Sequence, residues 1–199
     1  YSEKKCGSLG DMSILSFTPH KIITSGQGGL LLTDDEDSYQ KMYDYKSFNR
    51  EEEASDFHKG FGLNFKFTDL QASLLLSQLE RLDYLIESKK SIFSKYVEKT
   101  TLSEARYLKL RDFEKPWFID YLLMEGEEQE RYRDSLLKQN IQIRKGYPPL
   151  SFQPMFREVE RTGLTYSEEI AKRIVWLPSS TNLSEDDINL VSSSLNSLN

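Results

Sequence analysis

Apolar positions along the chain gather into short runs, and the spacing inside each run changes from one half to the other. MSILSF, residues 12–17, is a compact apolar run that stops before Pro19, and it predicts a buried strand. GGLLLTDD, residues 28–35, predicts a second short strand closed by a turn. Asp34 or Asp35 then stands where a helix cap is needed, ahead of Tyr39, Met42 and Tyr43 at helical spacing. Residues 46–62 are polar and show no period, which predicts a loop. At Thr68 the pattern becomes strongly helical. TDLQ reads as a capping box, and Leu75, Leu79, Leu82, Ile86, Phe93 and Val97 fall largely on one face. One helix to about Lys99 is predicted, roughly 45 Å long at 1.5 Å per residue, and a helix of that length links two lobes.

Beyond residue 115 the texture alternates. WFIDYLLM (117–124) predicts a strand, EEQERYRDSLLKQN (127–140) a helix with Tyr132, Leu136 and Leu137 inward, and IQIR (141–144) a further strand. KGYPPLSFQPMF (145–156) is a proline-rich loop. YSEEIAKRI (166–174) is helical, VWLP (175–178) a strand, and a last helix at 184–198 is capped by Ser184. This β-α-β-α-β-α order predicts a small α/β lobe, with Trp117 and Trp176 packing it.

The 199 residues carry a net charge of −6 and are 38% hydrophobic, which is globular composition. A net negative chain with only short basic clusters, such as Lys89-Lys90, is not built for nucleic-acid phosphates. The single cysteine, Cys6, excludes an intrachain disulfide and a cysteine metal cluster, and fits a reducing, cytoplasmic setting. His20 and His58 lack ligand spacing, so no metal is expected. No apolar run approaches the ~20 residues of a spanning helix, so no membrane role is expected. The chain opens without methionine and is in strand-like sequence within a dozen residues, as a chain entered in its middle would be.

SFTPHKIITSGQGG, residues 16–29, is where chemistry is expected. It sets Lys21 between an apolar strand and a turn rich in glycine. A lysine held at a fixed place can condense with a carbonyl, and glycines allow positive φ and close approach of a ligand. Ser16, Thr24 and Ser25 offer hydroxyls to a phosphate. Taken alone, a lysine beside a glycine turn is ordinarily a surface loop. GQGG is neither a dinucleotide fingerprint nor a P-loop.

The longer string GSLGDMSILSFTPHKIITSGQGGLLLTDDED resembles the lysine-bearing segment of the DegT/DnrJ/EryC1/StrS aminotransferases, pyridoxal-phosphate enzymes that aminate nucleotide-linked keto sugars. FGLNFKFTDLQASLLLSQLERLD (61–83), NIQIRKGYPPLSFQPMF (140–156) and RIVWLPSSTNLSEDDINLV (173–191) are similar to later segments of the same family pattern, in the same order. The resemblance implies that Lys21 is the Schiff-base lysine and catalytic proton carrier. It further implies that Ser16 contacts the cofactor phosphate, that Asn64 reaches the phosphate in a neighbouring subunit, and that Arg144 lies near the substrate. His20, next to Lys21, reads either as surface or as the substrate edge. Thr18, Gln27, Lys66, Ile143 and Ser151 depart from the family's usual residues, which bears on substrate choice.

The fold implied is α/β: the end of the large domain of a fold-type I aminotransferase in residues 1–67, a linking helix in 68–100, and a small C-terminal domain in 101–199. The cofactor implied is pyridoxal 5'-phosphate. The partners implied are a nucleotide sugar, an amino-acid donor such as glutamate, and a second subunit or a separate N-terminal half. The family's phosphate loop, stacking aromatic and pyridine-nitrogen aspartate belong to an N-terminal half of the pattern that these residues do not match. Two alternatives stay open: a non-catalytic remnant or assembly subunit, and a sugar-nucleotide binding module.

Overall fold

The computed structural model describes residues 3–53, 55–160 and 162–199. The chain falls into two compact units, Tyr1–Leu82 and Asp83–Asn199.

In the first unit, β1 (Met12–Ser16) and β2 (Gly29–Thr33) form an antiparallel hairpin in which Met12 faces Thr33 and Ser16 faces Gly29. Asp35 caps α1 (Glu36–Lys46), accepting the Ser38 N–H at 2.8 Å. The segment after α1 folds back on itself through single bridges, Ser47 to Asn64 and Arg50 to His58. α2 (Asp69–Leu79) opens with the expected capping box between Thr68 and Gln71.

The run at 12–17 does form a strand, but not a buried one. Ile14 is 78% exposed, and Leu30, Leu31 and Leu32 on β2 are also exposed. A two-stranded hairpin has two faces to cover, and among the described residues of this unit only Phe17 and Ser25 are buried. Continuous apolar sequence in a strand is the signature of a sheet covered on both faces, and here that cover does not come from within the unit.

The single helix expected from Thr68 to Lys99 is in fact two. α2 ends at Leu79 and α3 (Leu82–Lys99) begins after Glu80 and Arg81. The ladder tightens there: the Arg81 N–H bonds the Gln78 carbonyl, three residues back. No glycine or proline marks the break, so the apolar spacing runs through it undisturbed.

The second unit holds the hydrophobic core. β3 (Ile119–Leu122), β4 (Arg144–Lys145) and β5 (Ile174–Leu177) make a three-stranded antiparallel sheet with β5 in the middle. α4 (Ser103–Arg106) precedes it, and α5 (Gln129–Leu137), α6 (Thr165–Ala171) and α7 (Glu185–Asn196) alternate with its strands as predicted. Ile119, Tyr121, Val175 and Leu177 point into the core, against Tyr96 of α3, Tyr132 and Leu136 of α5, and Leu195 of α7. Two readings need correction. Leu137 is exposed, because α5 turns it one residue past the buried stripe. IQIR buries Ile141 and Ile143 by alternation, but ladder pairing is confined to Arg144 and Lys145.

Inside this unit the buried Arg106 side chain meets Glu127. Its Nη2 donates to Oε1 at 2.9 Å, its Nη1 donates to Oε2, and the Asn199 side chain accepts a further bond at 2.8 Å. Glu127 also accepts the Tyr132 hydroxyl at 2.9 Å and the Met124 N–H at 2.6 Å.

Candidate functional site

The strand ladder continues one step past β1 and β2, where the Phe17 N–H donates to the Gly28 carbonyl at 2.9 Å. The Phe17 carbonyl then takes two donors, the Ser25 N–H at 3.1 Å and the Thr24 hydroxyl at 2.8 Å. Residues 18–23 are thereby forced into an arch whose two feet meet at Phe17. Lys21 stands in the arch, half-buried, with its N–H on the Thr18 carbonyl at 3.0 Å. The Ser16 and Thr18 hydroxyls face each other at 3.3 Å at one foot of the arch. His20 lies exposed beside Lys21.

Two glycines make the closing turn possible. Gly26 and Gly28 have φ of 78° and 143°, where side chains are strained. A Cβ on Gly28 would sit 2.4 Å from a Phe67 ring carbon.

Asn64 is placed by different means. Gly62 passes so close to Phe48 that a Cβ there would lie 2.2 Å from the Phe48 carbonyl carbon. That approach lets Leu63 bond Tyr45 at 2.7 Å and Phe65 bond Lys46 at 3.0 Å, which holds Asn64 between them. Asn64 lines a cavity of about 1300 Å³ within the first unit, together with Phe17, Gly28, Tyr43, Phe65 and Gln71. Ser16, His20 and Lys21 are not in its lining. The structure therefore brings Ser16, His20 and Lys21 onto one arch, and sets Asn64 apart in the cavity wall.

Arg144 belongs to the second unit, exposed on β4 and opposite Trp176. Trp176 in turn faces Asp120 on β3, and its indole N–H donates to the Asp120 carboxylate at 2.8 Å. Burial raises the Asp120 carboxyl above its ordinary range, against the lowering by that hydrogen bond. Arg144, Trp176 and Asp120 thus form one row across the sheet. Phe118 stacks on Trp176 at 4.1 Å, and Tyr147 meets its edge at 4.6 Å.

Reading the sequence by motif gave Gln71 only its place in the capping box and Gln78 no role, yet both bond the backbone of the Lys21 loop. Their spacing of seven residues on one helix puts them on a common face, and that was the available signal. Among the described residues no group of histidine, cysteine and carboxylate side chains could hold a metal ion, and no helix is long and apolar enough to cross a membrane.

A model of the DegT/DnrJ/EryC1/StrS aminotransferase family matches residues 1–196. The chain is 28% identical to the GDP-perosamine synthase of Escherichia coli O157:H7 over 197 residues, covering 98% of this chain and 54% of that protein. Helicobacter pylori PseC, an aminotransferase involved in the biosynthesis of pseudoaminic acid, has a similar structure. Its TM-score is 0.83 at 22% identity, over 98% of this chain and 55% of that one. The structure of DesI in the presence of its TDP-sugar product gives 0.85 at 21% identity, over 98% and 51%. The chain spans about half the length of the relatives it matches. The fold shared with these structures is that of an α/β aminotransferase.

Proposed function

The chain belongs to the DegT/DnrJ/EryC1/StrS aminotransferase family, and on that premise we propose that it carries the lysine-bearing part of a sugar aminotransferase acting on a nucleotide-linked keto sugar. The observation that carries this reading is the arch itself. A lysine sits at a fixed place between two hydrogen-bonded feet, with paired hydroxyls at one foot and glycines that keep side chains away at the other.

The residues present fit two ends of pyridoxal phosphate. Lys21 offers an amine for its aldehyde carbon, and the Ser16 and Thr18 hydroxyls, which face each other at 3.3 Å, can turn to a phosphate oxygen. Residues 17–28 contain no carboxylate for the pyridine nitrogen, so that partner comes from elsewhere in the assembly. When bound, the cofactor supplies an electron sink through which an amino group passes from a donor amino acid to a keto carbon. Lys21 Nζ anchors it and then carries the proton at the donor Cα as general base. Ser16 Oγ donates to the phosphate. Asn64, held in the cavity wall, donates its amide to the phosphate site of a neighbouring subunit. Arg144 offers a guanidinium to an anionic group of the substrate, and His20 stands at the substrate edge. Glutamate is the donor in this reading, and the assembly is a dimer or a pairing with an N-terminal half of the family pattern.

The exposed apolar surface of the first unit supports an assembly, because monomers seldom expose contiguous apolar patches of this kind. Light scattering on the purified chain is expected to show association that rises with concentration. A clean monomer at high concentration would contradict it. The activity test is glutamate-dependent formation of pyridoxamine phosphate. The chain alone is expected to turn over no faster than free pyridoxal phosphate, since a site whose groups act as a unit loses rate non-additively when several are missing. Addition of the polypeptide that completes the family pattern is expected to restore turnover. Rapid turnover by the chain alone, lost in Lys21→Ala, would show that the 199 residues suffice.

A further inference from the structure

Two glutamines of α2 grip the loop that carries Lys21. The Gln78 amide pairs with the backbone of one residue on both sides: Oε1 accepts the Thr24 N–H at 3.2 Å, and Nε2 donates to the Thr24 carbonyl at 2.7 Å. This is the pairing a neighbouring strand would give, supplied by a side chain. Seven residues earlier on the same helix, Gln71 Nε2 donates to the Gln27 carbonyl at 2.9 Å. The Gln71 side chain is itself fixed, because its Oε1 accepts both the N–H and the hydroxyl of Thr68 at 3.0 Å in the capping box.

Thr24 is the foot of the arch. Its hydroxyl donates to the Phe17 carbonyl at 2.8 Å and accepts the Gly26 N–H at 2.9 Å. A rigid path therefore runs from the helix, through Gln78 and Thr24, to the end of β1, and Lys21 lies three residues before Thr24. The residue type matters too. A neutral amide can donate and accept at once, so it satisfies both backbone groups and adds no charge near the lysine. A glutamate in its place could only accept.

We propose that Gln78, supported by Gln71, is a positioning residue for Lys21: it fixes the foot of the arch and so determines where the amine stands. This rests on the reading of Lys21 as the anchoring lysine, and the test keeps the two apart. The full 199-residue chain is prepared as wild type, Gln78→Leu and Gln78→Glu. Amide hydrogen exchange is measured without cofactor, with the core peptides of the second unit as the control for folding. Each protein is then treated with excess pyridoxal phosphate and borohydride, and the pyridoxyl label is mapped.

In Gln78→Leu, exchange in residues 18–28 is expected to quicken by about tenfold or more while the core peptides stay protected. The share of label on Lys21, relative to the other lysines, is expected to fall by a similar factor. Gln78→Glu, which keeps the bond to the Thr24 N–H, is expected to fall between. Faster exchange with an unchanged share of label on Lys21 would overturn the positioning role, and so would unchanged exchange in Gln78→Leu. If the wild type shows no preference for Lys21, that counts against Lys21 as the anchoring lysine, and the exchange arm alone then decides whether Gln78 holds the loop.

Discussion

Replacing Lys21 by alanine is expected to lower amino transfer by at least about a thousandfold in any active assembly that contains this chain. Two losses combine in that variant. General acid–base help at a single proton is worth roughly a hundred- to ten-thousandfold, and the covalent anchor is lost with it. Lys21→Arg separates the charge from the bond. An arginine keeps the cation in the arch but cannot serve as the amine nucleophile, so its rate should fall with that of Lys21→Ala. The arch should survive both changes, because the bonds at Phe17, Thr24, Ser25 and Gly28 hold its feet. Unfolding curves that match wild type, beside rates that collapse, are the expected pair of results. A Lys21→Ala assembly that keeps a tenth of wild-type kcat would remove Lys21 from the chemistry.

The second large effect lies in the other unit, and it is one of stability. Glu127→Ala is expected to cost about 3–5 kcal/mol, since it leaves the Arg106 guanidinium, 1% exposed at its side chain, without its carboxylate partner. Tyr132 and the Met124 N–H lose an acceptor in the same step. Replacing both partners, as in Arg106→Met with Glu127→Leu, should cost less than Glu127→Ala alone. The penalty comes from the stranded charge more than from the lost attraction. Urea unfolding of the three proteins checks the order, and a double variant less stable than Glu127→Ala would contradict it.

The pair also sets an acid limit. The hydrogen bonds from Arg106, aided by those from Met124 and Tyr132, hold the Glu127 carboxyl down at about 2, below its ordinary 4.5. The folded value is the depressed one, so the contribution is complete above pH ~4.5 and is lost as pH falls toward 2. Glu127→Gln should flatten that part of the stability–pH curve.

The sequence made the second unit legible because that unit buries its own apolar positions. Ile119, Tyr121 and Val175 alternate, Tyr132 and Leu136 recur at helical spacing, and all five are buried. Periodicity works when the element's partners are in the same stretch of chain. It failed at β1, where Met12, Ile14 and Leu15 read as buried but are exposed, since apolar sequence reports the need for cover and not its source. It failed again at Glu80-Arg81, where the helix breaks without a residue that breaks helices.

The candidate site was readable in part for a related reason. Lys21, Ser16 and the glycines lie within fourteen residues, so a local motif could gather them. Gln71 and Gln78 act on residues 44 and 54 positions away, and only the folded chain shows where their amides go. The Asp120–Trp176–Arg144 row was hidden for the same reason, since a sheet in which β5 lies between β3 and β4 had to form first.

The most direct measurement of the central claim is chemical. An assembly containing this chain is loaded with pyridoxal phosphate, reduced with borohydride, digested and mapped by mass. The account predicts a pyridoxyl adduct on the peptide that contains Lys21, at close to one per chain, with little on any other lysine. A reproducible adduct on a different lysine, with Lys21 unmodified, would contradict it.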